Sequence, residues 1–158
     1  MSRLQLALNV DDLEESIAFY SRLFAATPAK VKPGYANFAV AEPPLKLVLI
    51  ENPGQGGSIN HLGVEVPDTD TVDAAQRRLA EHGLASIDER GTTCCFAKQD
   101  KFWVQGAPNG EQWEVYTVLE DTETFAGSGS GTGTDTGQAG CCGDTTDLEL
   151  QPSATACC

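Results

Sequence analysis

All six cysteines of the chain stand in adjacent pairs: Cys94–Cys95, Cys141–Cys142 and Cys157–Cys158. Neighbouring α-carbons lie about 3.8 Å apart across a trans peptide, short of the usual disulfide window of about 4.4–6.8 Å. A bond between neighbours would therefore be strained. Two reduced thiols side by side are instead a chelate for a soft, thiophilic centre. Successive side chains of a flat strand point to opposite faces, so Cys94 and Cys95 can grip one atom only from a turn or loop. Gly91-Thr92-Thr93 just before them permits such a turn, and the segment is expected to move. The polar run Lys98-Gln99-Asp100-Lys101 reads either as a solvated turn or as a gate for the pair.

A second group of residues has the chemistry of a metal site. Gln5, His61 and Glu114 each fall on the less apolar face of a strand whose other face is apolar. If the apolar faces pack on helices, the three polar side chains can point into one cavity. An imidazole, a carboxylate and an amide oxygen make a three-ligand site with open positions for a divalent metal. The same residues also fit a lone strand histidine with two surface polar groups. The other histidine, His82, lies in the last turn of a helix, where the dipole favours a cation, and reads as structural.

The elements that must position these residues recur in order. RLQLALNV (3–10) alternates as a half-buried strand, with Leu4, Leu6, Leu8 and Val10 on one face. An amphipathic helix follows, with Asp11 three residues before Glu14 as its expected capping box. Residues 36–41 and 45–51 read as strands and 52–57 as a loop. The pattern then restarts with a strand at 58–66, a helix at 68–83 stopped by Gly83, and strands at 84–90, 102–106 and 111–119. The expected fold is α+β, two βαβββ modules at 1–57 and 58–119. Residues 120–158 are expected to form a flexible, acidic, Gly/Ser/Thr-rich tail.

The formal net charge is −13. Residues 1–119 hold 16 acidic and 10 basic groups, and residues 120–158 hold 7 acidic and none basic. Neither part offers a basic patch, so no nucleic-acid or anionic-membrane partner is expected. The N-terminus lacks the apolar core of a signal peptide, and no apolar run approaches a membrane span. A soluble cytoplasmic protein is expected, where thiols stay reduced. A homodimer is compatible with the sequence.

NVDDLEESIAFYSRLF after the first strand, INHLGVEV opening the second half and the closing PNGEQWEVY resemble the vicinal oxygen chelate superfamily. That is the glyoxalase, bleomycin-resistance and extradiol-dioxygenase group. TTCCFAKQDKFWV (92–104) is similar to its cadmium-induced and organoarsenical carbon–arsenic lyase branch. The resemblance implies a cupped mixed β-sheet around a metal, with Gln5, His61 and Glu114 as Fe(II) ligands. Gln5 stands where the family commonly has histidine, and glutamine serves as a ligand in glyoxalase members. The resemblance also implies that Cys94 and Cys95 bind a trivalent organoarsenical, with O2 as co-substrate and arsenite as product. Phe102 and Tyr116 are the aromatics assigned to the pocket wall. The resemblance does not reach the tail, where Cys141–Cys142 and Cys157–Cys158 read either as a tethered arsenic-capture site or as an extension without a role. The rival expectation is a protein that sequesters cadmium or arsenite and catalyses nothing.

Overall fold

The computed structural model describes residues 2–123; Glu120 and Asp121, expected to begin the tail, extend the last strand instead, and residues 124–158 with both remaining cysteine pairs lie outside the described residues. The first module comprises β1 (Arg3–Val10), α1 (Leu13–Leu23), β2 (Lys30–Lys32), β3 (Tyr35–Val40) and β4 (Leu45–Glu51). The second comprises β5 (Ile59–Glu65), α2 (Thr69–Glu81), β6 (Ser86–Cys94), β7 (Ala97–Val104) and β8 (Trp113–Asp121). All eight strands form one curled sheet in the order β2-β3-β4-β1-β5-β8-β7-β6. Each module's first strand pairs in parallel with its last, and β1 meets β5 antiparallel at the seam.

Both helices pack on the convex face. Leu6, Leu8 and Val10 of β1 join Phe38, Leu47 and Leu49 beneath Leu13, Ile17 and Tyr20 of α1. Val64, Val66, Phe102 and Val115 meet Val72, Ala75 and Leu79 of α2 in the same way. The helix starts are capped by side chains that satisfy first-turn N–H groups. Glu15 N donates to Asp12 at 2.8 Å, and Thr71 N to Asp68 at 2.8 Å. The cap of α1 is therefore Asp12 and not Asp11. Asp11 instead accepts from Gly54 N and Gly56 N, tying the loop that joins the modules.

The polar face of β1 is the more buried one. Gln5, Ala7 and Asn9 are buried, while Leu4, on the apolar face, is 56% exposed. The reason is that the sheet closes on itself. The β6–β7 hairpin reaches across the concave face to the β2–β3 hairpin. There Phe96 lies 5.4 Å from Tyr35, and Lys30 Nζ donates to the Phe96 carbonyl at 2.9 Å. Lys30–Asp121 and Lys32–Glu123 ion pairs flank the contact.

Candidate metal centre and cysteine pair

The register of the seam assembles the centre. Gln5 on β1 pairs with Gly63 on β5, which pairs with Glu114 on β8. The middle position of this row has no side chain. A Cβ there would meet Gln5 Cβ, Gln5 Nε2 and Glu114 Cγ, each at 3.2 Å. Gly63 thus lets its two neighbours lean together, and His61 joins them from two residues earlier on the same face. The amide nitrogen of Gln5, as placed, donates to Glu114 Oε1 at 2.8 Å and lies 2.9 Å from His61 Nε2. Nε2 of His61 and Oε1 of Glu114 are 3.5 Å apart. Three buried side chains from three strands end at one point.

The tautomer of His61 follows from a chain that starts at the backbone. Ser58 Oγ donates to the Gln55 carbonyl at 2.6 Å, so it must accept from Asn9 Nδ2 at 2.9 Å. That orients Asn9 Oδ1 to accept from Asn60 Nδ2 at 3.0 Å. Asn60 Oδ1 then faces His61 Nδ1 at 2.7 Å, which must carry the hydrogen. His61 Nε2 is left with its lone pair directed at Gln5 and Glu114. Such outer partners are how proteins orient metal-binding imidazoles. With Glu114 ionised and an amide alongside, the donor set fits a divalent metal. Among the described residues no three His, Cys, Asp or Glu side chains cluster; the third donor here is an amide.

Charge is arranged to keep Glu114 ionised. Burial would raise its carboxyl; a hydrogen bond from His61, available when Nε2 also carries a proton, and the Lys101 charge outweigh burial and hold it at about 2. Lys101 is fully buried, with Nζ 3.3 Å from Glu114 Oε2, 3.5 Å from Glu89 and 4.7 Å over the Trp103 ring. Burial would lower its ammonium, but Glu114 and Glu89 raise it above the ordinary lysine value. Lys101 therefore occupies Oε2 and leaves Oε1 for the centre.

Only Cys95 of the pair sits on a turn: Gly91-Thr92-Thr93 and Cys94 belong to β6, and the chain reverses one residue later than expected. β6 runs to Cys94 and β7 starts at Ala97, so Cys95-Phe96 forms a two-residue hairpin turn with Cys94 paired to Ala97. Both turn residues have positive φ, 52° and 62°. That is the geometry of a type I′ turn, which Asn-Gly fills easily and Cys-Phe does not. Its effect is to swing Cys95 onto the side of Cys94, with the two sulfurs 3.2 Å apart. No bond joins the neighbours, which would need about 2.05 Å. Cys94 is nevertheless disulfide-bonded. The reduced pair expected from the sequence therefore differs from the structure at Cys94.

One tight cavity, with room for about one water or one ion, is lined by Gln5, His61, Glu114, Cys94, Cys95 and Lys101, with Tyr35 and Gln99. The structure so brings the metal candidates and the sulfurs together. Other expectations are corrected. Lys98–Lys101 lie within β7 and not on a turn, because the hairpin turns earlier, at 95–96. Phe102 points to the convex face and packs with Val72, so it does not line this cavity. Tyr116 shares the concave face but does not line the cavity; its hydroxyl lies 2.6 Å from Gln5 Oε1 and 2.8 Å from Glu65 Oε2. Burial and the carboxylates of Glu65 and Glu114 push that hydroxyl's pKa well up, so it stays protonated. Lys101 stands as a charge within the site and the Trp103 ring meets His61 edge-on at 5.7 Å, roles that the sequence reading does not give them. Their signal was the alternation Gln99, Lys101, Trp103, which puts all three on one strand face.

A family profile described as the glyoxalase/bleomycin resistance protein/dioxygenase superfamily matches residues 3–115. The chain belongs to this superfamily. A cadmium-induced protein, CadI, of Mycobacterium tuberculosis (strain ATCC 25618 / H37Rv) is 65% identical over 144 residues, covering 91% of this chain and 94% of the relative. A trivalent organoarsenical cleaving enzyme of Thermomonospora curvata is 58% identical over 144 residues, covering 89% and 95%. Among solved structures, the Mn(II)-bound glyoxalase from Novosphingobium aromaticivorans superposes with a TM-score of 0.55 at 18% identity, covering 81% of this chain and 44% of that one. The last likeness concerns the superfamily fold alone. No helix among the described residues is long and apolar enough to cross a membrane.

Proposed function

We propose that the chain cleaves the carbon–arsenic bond of trivalent organoarsenicals such as methylarsenite and trivalent aromatic arsenicals, using Fe(II) and O2, with the oxygen oxidising the carbon group while arsenic leaves, still trivalent, as arsenite. The observation that carries this reading is the single cavity lined by both the sulfur pair and the Gln5–His61–Glu114 centre. The similarity to the organoarsenical cleaving enzyme of Thermomonospora curvata supports it.

Cys94 and Cys95 bind the substrate. Each thiol displaces one hydroxyl of RAs(OH)2, two As–S bonds replace two As–O bonds, and two waters leave. The As–C bond is untouched and is held in fixed relation to the centre, which is the gain from proximity. Gln5, His61 and Glu114 would hold the Fe(II), which supplies open positions for dioxygen and the oxidation at the As–C bond. Lys101 keeps Glu114 ionised and presents one of its oxygens. Phe96 and Tyr35 close the cup and keep water out. The cavity as described is too small for an organoarsenical, so the β6–β7 hairpin must lift for loading. The setting is the cytoplasm, where both thiols are reduced.

The test is an aerobic product assay on reduced protein with and without Fe(II). Wild type should release arsenite from methylarsenite only with both Fe(II) and air, and Cys95→Ala should release none. The similarity to CadI favours a second reading, non-catalytic sequestration of cadmium or arsenite. Stoichiometric arsenical binding without turnover under Fe(II) and air would select it.

A further inference from the structure

The geometry points to Tyr116 and Glu65 as the pair that turns the Gln5 carbonyl oxygen, and not its amide nitrogen, toward the centre. The inference rests on the metal-centre reading above and concerns how the chain prepares it.

Glu65 accepts from Arg3 at 2.9 Å through Oε1 and from Lys46 at 3.1 Å through Oε2. A carboxylate held between two cations is ionised and can only accept. Tyr116 has one hydroxyl hydrogen but two close oxygens, Glu65 Oε2 at 2.8 Å and Gln5 Oε1 at 2.6 Å. If the hydrogen goes to Glu65, the Tyr116 and Gln5 oxygens face each other at 2.6 Å with nothing between them. If it goes to Gln5, an ionised carboxylate faces a bare phenolic oxygen. Either way one buried contact is repulsive.

Turning the Gln5 amide over removes the conflict, since its two ends are alike in shape. Gln5 Nε2 then donates to the Tyr116 oxygen, and Tyr116 donates to Glu65. Every atom on that side has one proper partner. The turned amide presents Oε1 to His61 Nε2 and Glu114 Oε1, within 2.9 Å and 2.8 Å of where the nitrogen is placed. Three acceptors then converge, and they require a positive centre: a metal ion, or in its absence a proton on His61 Nε2. The ladder supports this role. Arg3, Glu65 and Tyr116 form one row across β1, β5 and β8, next to the row Gln5, Gly63 and Glu114. Tyr116 is a positioning residue in this scheme; it acts through Gln5.

The test is Co(II) binding to the full, reduced chain, followed by its visible absorption. Tyr116→Phe should weaken binding about tenfold to a hundredfold, as loss of an outer-shell partner does. In a Gln5→Glu background, where both ligand oxygens are equivalent and need no orienting, the same change should cost under about threefold. Equal losses in both backgrounds, or no loss in the wild-type background, would overturn the inference. If Tyr116→Phe does not fold, wild type decides. In Zn(II)-loaded protein labelled with 15N-glutamine, the Gln5 side-chain amide protons should show nuclear Overhauser contacts to the Tyr116 ring. Contacts to the His61 ring instead would overturn it. Wild type that binds no Co(II) would overturn the metal-centre reading itself, an outcome distinct from binding without coupling.

Discussion

Lys101 decides whether Glu114 can be charged. With no exposed surface, the ammonium depends wholly on Glu114 and Glu89. Lys101→Met leaves a buried carboxylate without its cation and should lower stability by about 3–5 kcal/mol in urea unfolding at neutral pH. The pH dependence has a defined sign. Glu114 is held at about 2, below its ordinary 4.5. Its contribution to stability is therefore complete above about 4.5 and is lost as pH falls from there through about 2. In Lys101→Met, burial dominates, the carboxyl rises, and the acid limb of the stability curve should move to higher pH. An unmoved limb would assign the depression to His61 alone. Gly63 offers a second probe. In Gly63→Ala the methyl meets Gln5 and Glu114 at 3.2 Å on both sides. The fold should survive while Co(II) affinity falls by about tenfold or more, because two ligands are spread apart.

At the scale of elements, the β6–β7 hairpin carries the unusual feature. Cys95 and Phe96 occupy left-handed backbone that costs about 1–3 kcal/mol per residue. What offsets it is the Phe96 ring on Tyr35 and the Lys30 bond to the Phe96 carbonyl. Phe96→Gly removes strain and anchor together. Amide hydrogens of residues 92–99 should then exchange faster, with the global melting transition little changed. Slower exchange would mean that strain, and not the anchor, governs the tip. This element also marks how far the sequence could be read. That adjacent cysteines require a turn follows from strand geometry, and a turn is found. That the run Lys98–Lys101 is a strand with Gln99 and Lys101 buried does not follow. Four polar residues in a row look solvated, and only closure of the cup over Gln99 and Lys101 makes them internal. An aromatic such as Phe102 suits a pocket wall, but the register of β7 gives that face to Lys101 and Trp103.

Over the whole molecule, the alternation of β1 was enough to say which face the helices cover, and the repeat gave the two modules. The pairing that brings Gln5, Gly63 and Glu114 into one row depends on contacts between strands more than fifty residues apart, which local pattern does not encode. The closed cup makes a prediction at this scale. Exchange at the β6–β7 tip and at residues 30–35 should slow together when a trivalent phenylarsenical is added to reduced protein. Protection confined to one hairpin would mean that the two do not close as a unit. The two hairpins are sisters in the repeat, yet their turns differ. The β2–β3 turn is Pro33-Gly34, with φ +69° at the glycine, the residues a relaxed type II turn prefers. The opposing turn is Cys95-Phe96. One jaw is thus a rigid anvil and the other a cocked spring, and the cysteines ride on the spring. Their release from the closed position should need less work than the many contacts of the cup suggest, which is what a jaw that must open for each new substrate requires.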